Sequence, residues 1–198
     1  MKQISNVVLL ALLLVMTYAC GSKSKNENAE VITPPANNII ANEPKVIEYA
    51  FTNQAFEPFD IIGKIYNLPS DPTVARKKIL ENRASFLKAD YYAEVKPEED
   101  KLYQVFYEYQ PTGFKVLIGY KGNSTSIIPK GCIKMSTPRG QFGVFPFPNQ
   151  ADSTYYQTWG IVEAASKEFR SYQGDVEVFN LDKASATAAI SEVRVHLK

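Results

Sequence analysis

The run Gly174-Asp175-Val176-Glu177-Val178-Phe179 constrains this chain more than any other stretch. It reads as strand core, yet a carboxylate sits in its middle. Side chains alternate along a strand, so Val176 and Val178 point one way while Glu177 and Phe179 point the other. An unpaired carboxylate buried there costs several kcal/mol, so its position needs a reason. Two readings are open at this point. Glu177 faces a ligand in an aromatic-walled pocket, or it is a glutamate on a solvated edge strand or in an ion pair with Arg194.

The elements around this run repeat. Residues 58–66 are β-rich, and Gly63 within them predicts a bulge or a close approach. Asp71-Pro72 starts a helix, with Asp as the cap and Pro at the first helical position. Ala75, Ile79 and Phe86 form its apolar stripe, with Leu80, Ala84 and Leu87 beside it. Arg76, Lys77, Lys78, Arg83 and Lys88 read as a solvated face. Residues 102–109 and 114–120 flank Gln110-Pro111-Thr112-Gly113, a hairpin signature. Residues 133–136 and 141–147 flank Pro138-Arg139-Gly140, read as a second tight turn. Asp152-Ser153 starts a second helix with the stripe Tyr155, Trp159, Val162 and Phe169. Residues 175–179 and 192–197 form the last strand pair, joined by a small-residue loop over 182–189. Residues 46–49 read as a lead-in strand.

Strand, helix and hairpin thus occur twice, with the helices starting about 80 residues apart, too far for a solenoid repeat. The expected fold is α+β: two βαββ units forming an antiparallel sheet with two helices and a central ligand groove.

The 198 residues are not all expected to belong to that domain. Residues 1–19 read as an export signal, with Lys2, an apolar run from Val7 to Val15, and Thr17-Tyr18-Ala19 before Cys20. The run is shorter than the roughly 20 apolar residues of a membrane-spanning helix. A small residue directly before cysteine resembles the lipobox of bacterial lipoproteins, although Thr17 replaces the usual leucine and Tyr18 is bulky. That resemblance implies cleavage before Cys20 and lipid on its thiol and amine, which places the protein in the bacterial cell envelope, tethered to a membrane. Residues 20–45 are rich in Ser, Asn, Lys, Glu and Pro and read as a flexible tether. Residues 46–198 form the domain. With Cys20 acylated, Cys132 is the one remaining thiol and reads as a small core residue. The net charge is +1. No basic block stands out, so a nucleic-acid partner is unsupported.

Four motifs in order resemble a known family. They are Leu117-Ile118-Gly119-Tyr120, Pro138-Arg139-Gly140-Gln141-Phe142-Gly143-Val144-Phe145, Thr158-Trp159, and Asp175 to Phe179. The family is the GyrI-like small-molecule-binding domain, related to the effector-binding domains of AraC-type and multidrug-sensing transcription regulators. The resemblance implies an acid at the position of Glu177 that meets lipophilic cations, with aromatic rings stacking on them. Some members are hydrolases of strained-ring compounds through the same pocket. Members fused to helix-turn-helix domains act in transcription, and no such segment is present here. Three positions depart from the pattern: Ser166 where a second tryptophan is common, His196 in place of a proline, and Phe179 in place of a tyrosine.

The candidate ligand-binding residues are Glu177, Trp159, Tyr107, Tyr120, Phe145 and Tyr156. No cofactor is implied. His196 is the single histidine, with no partners in sequence for a metal site or a catalytic triad. Three functions remain open: a membrane-anchored binder of a small lipophilic or cationic molecule, a hydrolase with Glu177 as general base, and a structural or partner-binding lipoprotein.

Overall fold

The computed structural model describes residues 51–150 and 155–198, apart from the side chains at 148–150, 155, 156 and 158. The export signal, Cys20, the tether, residues 46–49 and the Asp152-Ser153 helix start lie outside the described residues.

The elements run β1 (Thr52–Phe56), β2 (Asp60–Pro69), α1 (Pro72–Lys88), α2 (Tyr91–Val95), β3 (Lys101–Gln110), β4 (Gly113–Lys121), β5 (Ile133–Ser136), β6 (Gly140–Gln150), α3 (Tyr155–Ser166), β7 (Asp175–Asp182) and β8 (Thr187–His196). The eight strands form one antiparallel sheet in the order β1-β6-β8-β7-β3-β4-β2-β5.

That order contains the duplication. β2, β3 and β4 with α1 make one βαββ half, and β6, β7 and β8 with α3 make the other. The halves meet where β3 pairs with β7 at the sheet centre. β1 leads into β2 but pairs with β6 of the other half, and β5 leads into β6 but pairs with β2. The register is continuous across both exchanges, from Phe56↔Gly140 to Asp60↔Ser136. One long ribbon therefore joins the two ends of the sheet order, and the sheet must curl to accommodate it. At the crossing, Thr137 N–H donates to Phe59 O at 2.9 Å, and Phe59 N–H donates to Thr137 Oγ1 at 3.1 Å. Pro138-Arg139-Gly140 is thus not a hairpin turn. It carries the chain from one sheet edge to the other half, a long-range pairing that a local turn signature cannot distinguish from a hairpin.

The local chemistry of α1 is as its sequence indicates. Asp71 Oδ1 accepts from Val74 N–H at 2.8 Å, and Pro72 follows the cap. Ala75, Ile79 and Phe86 are buried, but so is Arg83. Its spacing four residues after Ile79 puts Arg83 on the apolar stripe, where its guanidinium lies 4.4 Å over the Phe179 ring. α3 stops at Ser166, whose hydroxyl donates to Val162 O at 2.6 Å. Phe169 consequently falls beyond the helix and is exposed, while Val162 and Ser166 are buried. β8 begins at Thr187, so the final connection is a tight turn over 183–186 rather than a loop reaching 189. Short polar and alanine side chains hid this strand, which is held by its ladder to β7. The short helix α2 was also not foreseen.

Gly63 and Gly119 face each other across β2 and β4. A Cβ on Gly63 would stand 2.0 Å from Ile118 O, so this is a close approach of backbones. The larger core packs the helices on one sheet face, with Ile79, Phe86, Phe106, Val162 and Phe179 among its members. Ile61, Tyr103, Val105, Leu117, Phe142, Val176 and Val178 form a second cluster. No helix among the described residues is long and apolar enough to cross a membrane.

Candidate ligand-binding site

Alternation holds along β7. Val176 and Val178 enter the second cluster, while Phe179 enters the helix-side core. Glu177 points to the helix side and is wholly buried. Its Oε1 accepts from the Trp159 indole Nε1–H on α3. Its Oε2 accepts from Nε2 of Gln104, its cross-strand neighbour on β3. β7 is a central strand, so Glu177 is not an edge residue, and Arg194 pairs with Glu192 instead.

A cavity of about 220 Å3 opens between the halves. Pro72, Ala75, Arg76 and Ile79 of α1 line one side, with Phe106, Tyr109, Phe114, Trp159 and Arg170 around the rest. Phe106 meets Trp159 edge-on at 5.7 Å between ring centres. Tyr109 stacks on Phe114 at 5.6 Å. Glu177 is not in the cavity wall. The indole of Trp159 both lines the cavity and holds the carboxylate.

Arg170 lines the cavity beside Trp159 and Tyr109. It is 5% exposed, and its Nε and Nη2 donate to Asp175 Oδ2 at 2.9 and 2.5 Å. Its Nη1 donates to Glu163 Oε2 at 2.5 Å, and Tyr109 O–H donates to Asp175 Oδ2 at 2.8 Å. The guanidinium also sits 4.4, 5.0 and 5.6 Å from the ring centres of Tyr172, Trp159 and Tyr109. Burial opposes its charge, but Asp175, then Tyr109 and Glu163, more than offset that and hold its proton more firmly than usual. Burial, reinforced by Asp175, raises the pKa of Tyr109 well above the ordinary phenol range.

The structure separates the other expected wall residues. Tyr107 lies against the second cluster, away from Tyr109. Strict alternation puts these two on one face, but the strand bulges between Tyr107 and Gln110, with Glu108 at φ 52°. The bulge turns Tyr109 toward the helices and leaves Tyr107 behind. Tyr120 packs on Phe86 and Tyr92 and lines a separate cavity of about 140 Å3 with Leu87 and Lys183. Phe145 is wholly buried, with its ring 5.0 Å from that of Phe51. The side chain of Tyr156 lies outside the described residues.

Sequence reasoning missed Gln104, Phe106, Tyr109, Phe114 and Arg170. Their pattern is ordinary strand and loop, and only pairing in space collects them. Asp175 was visible as a second acid in the β7 run. His196 is engaged structurally: its Nε2–H donates to Arg139 O at 3.1 Å, which leaves Nδ1 to accept from Ser171 O–H at 2.6 Å. No group of metal-ligating side chains occurs among the described residues. Cys132 is half-buried, and burial pushes its thiol pKa up.

Two βαββ halves share one sheet, with an apolar cavity between them, in an α+β domain. The family model for Cass2, the integron-associated effector binding protein, matches residues 54–195. The chain belongs to this GyrI-like family. No curated protein matches the sequence. Among solved structures, SAV2435 bound to tetraphenylphosphonium is similar at TM-score 0.62 and 12% identity, over 75% of this chain and 93% of that one. The integron cassette protein from the mobile metagenome of Vibrio cholerae is similar at TM-score 0.53 and 16% identity, over 75% and 96%. The EcmrR C-terminal domain is similar at TM-score 0.51 and 12% identity, over 77% and 99%.

Proposed function

We propose that the protein binds a small lipophilic cation in the cavity between α1 and α3, with Glu177 as the countercharge. One observation carries this reading: the Trp159 indole is at once cavity wall and hydrogen-bond donor to the buried Glu177. The cavity is smaller than the roughly 300–1,000 Å3 of most ligand pockets. Displacing the indole enlarges it and brings the carboxylate to its surface. Phe106, Tyr109 and Phe114 then offer aromatic faces, each contributing about 0.5–2 kcal/mol to a cation. The Arg170 charge is already balanced by Asp175 and Glu163, so it opposes a cation only weakly.

Titration with tetraphenylphosphonium, followed by thermal stabilisation, tests the reading. A ligand at 100 times its dissociation constant adds about 2.7 kcal/mol. Glu177→Gln keeps the shape but removes the charge, and affinity should fall at least about tenfold, or 1.4 kcal/mol. Equal affinity in both forms rejects Glu177 as the countercharge.

We further propose that Cys20 carries lipid and tethers the domain to a membrane of the cell envelope. The apolar run of residues 7–15 and the Ala19-Cys20 junction support this. Cys20→Ala should move the protein from the membrane to the aqueous fraction on fractionation. An unchanged distribution rejects the anchor.

A further inference from the structure

We propose that the Glu177 site is built for a cation that carries N–H donors, a protonated amine or amidine, rather than a fully substituted onium. This rests on the reading that a cation reaches Glu177, and it names the chemistry of that cation.

The argument starts at Gln104, wholly buried beside Glu177 on the neighbouring strand. Its Nε2–H donates to Glu177 Oε2. That bond sets the orientation of the amide. Reversed, the amide oxygen would face the carboxylate oxygen with no hydrogen between them. With Nε2 committed, Oε1 is buried and has no hydrogen-bond donor among the described residues. A buried acceptor without a donor is costly and uncommon, and in a native protein it marks a place where something else belongs.

Glu177 Oε1 takes its indole donor from Trp159, the side chain that must give way for a ligand to reach the carboxylate. Entry of a ligand therefore removes one donor from a site that already has an unmet acceptor. An onium with four carbon substituents supplies charge but no hydrogen, and leaves Gln104 Oε1 unserved. A protonated amine supplies several N–H donors from one centre: one replaces the indole N–H at Glu177, and another meets Gln104 Oε1. A site that pairs buried acceptors with ligand donors discriminates strongly against an analogue lacking them.

The test uses the full chain and two ligands of equal charge and the same aromatic body, (4-phenylbenzyl)ammonium and (4-phenylbenzyl)trimethylammonium, compared by calorimetric titration. The ammonium form should bind at least about tenfold more tightly, equivalent to 1.4 kcal/mol. In Gln104→Met, which keeps the length and removes both amide groups, the preference should shrink to about twofold or less. Equal or tighter binding of the trimethyl form by the wild type overturns the proposal while leaving the cation reading intact. A preference that persists undiminished in Gln104→Met removes the amide from its role and overturns the assignment. If neither ammonium compound nor tetraphenylphosphonium binds, the cation reading falls, and this inference falls with it.

Discussion

Arg170 keeps a full charge in the interior because oxygens of Asp175, Glu163 and Tyr109 and three aromatic faces replace its water. Removing one partner of such a pair strands the other. Arg170→Met should cost about 3–5 kcal/mol in urea unfolding, because Asp175 would keep a buried charge. Arg170→Met combined with Asp175→Asn should recover much of the loss. A single-variant cost under about 1 kcal/mol would show that the pair adds little beyond packing. At this scale alternation correctly turned Glu177 away from Val176 and Val178, since the pleat of β7 is regular through that run. By itself it would put Tyr109 on the face of Tyr107, because a bulge at Glu108 reverses the faces of β3 beyond it, and no composition signal announces a non-glycine residue at positive φ. Arg83 was assigned to solvent by its charge, although its spacing already matched the buried stripe.

At the scale of elements, the start of α1 was readable because capping is local chemistry. Asp71-Pro72 carries the donor-acceptor logic of its own first turn. Helix ends and strand partners were less readable, as the early stop of α3 and the long reach of β8 show. The close approach of β2 and β4 at Gly63 and Gly119 gives a sharp expectation. Gly63→Ala puts a methyl group against the Ile118 carbonyl, a backbone atom that cannot turn aside, and should lower stability by about 1–3 kcal/mol or more. Gly160→Ala at an exposed position of α3, where an added Cβ meets nothing within 4 Å, should instead raise it by about 0.5–1 kcal/mol. Thermal melts of the two variants check both signs. Destabilisation by Gly160→Ala, or tolerance of Gly63→Ala, would contradict this packing.

For the whole molecule, two buried tyrosines and the partly buried Tyr109 tie stability to alkaline pH. Burial raises the pKa of Tyr103, Tyr109 and Tyr120, and these residues belong to different parts of the core. In the unfolded chain they lose protons near pH 10. The folded state keeps them protonated, so above that pH the native form binds more protons and stability falls as pH rises. Below about pH 10 the contribution is constant. The melting temperature should therefore decline progressively above pH 10, with tyrosinate absorbance appearing together with unfolding. Ionisation of all tyrosines in the folded state at their ordinary pKa would refute it.

The amino-acid order alone determined what depends on neighbours along the chain: the α+β class, the doubled strand-helix-hairpin pattern, the cap of α1, and the placing of Glu177 on the opposite face of β7 from Val176 and Val178. These follow from side-chain periodicity and turn chemistry, which act over a few residues. The tertiary structure alone decided the exchange of β1 and β5 between halves, the meeting of Gln104, Trp159 and Glu177, and the choice of Tyr109 over Tyr107 for the cavity wall. Those depend on which strands pair and where a bulge shifts the pleat. Both are settled by packing between segments that range from 18 residues apart, for Trp159 and Glu177, to 92 apart, for Thr52 and Val144.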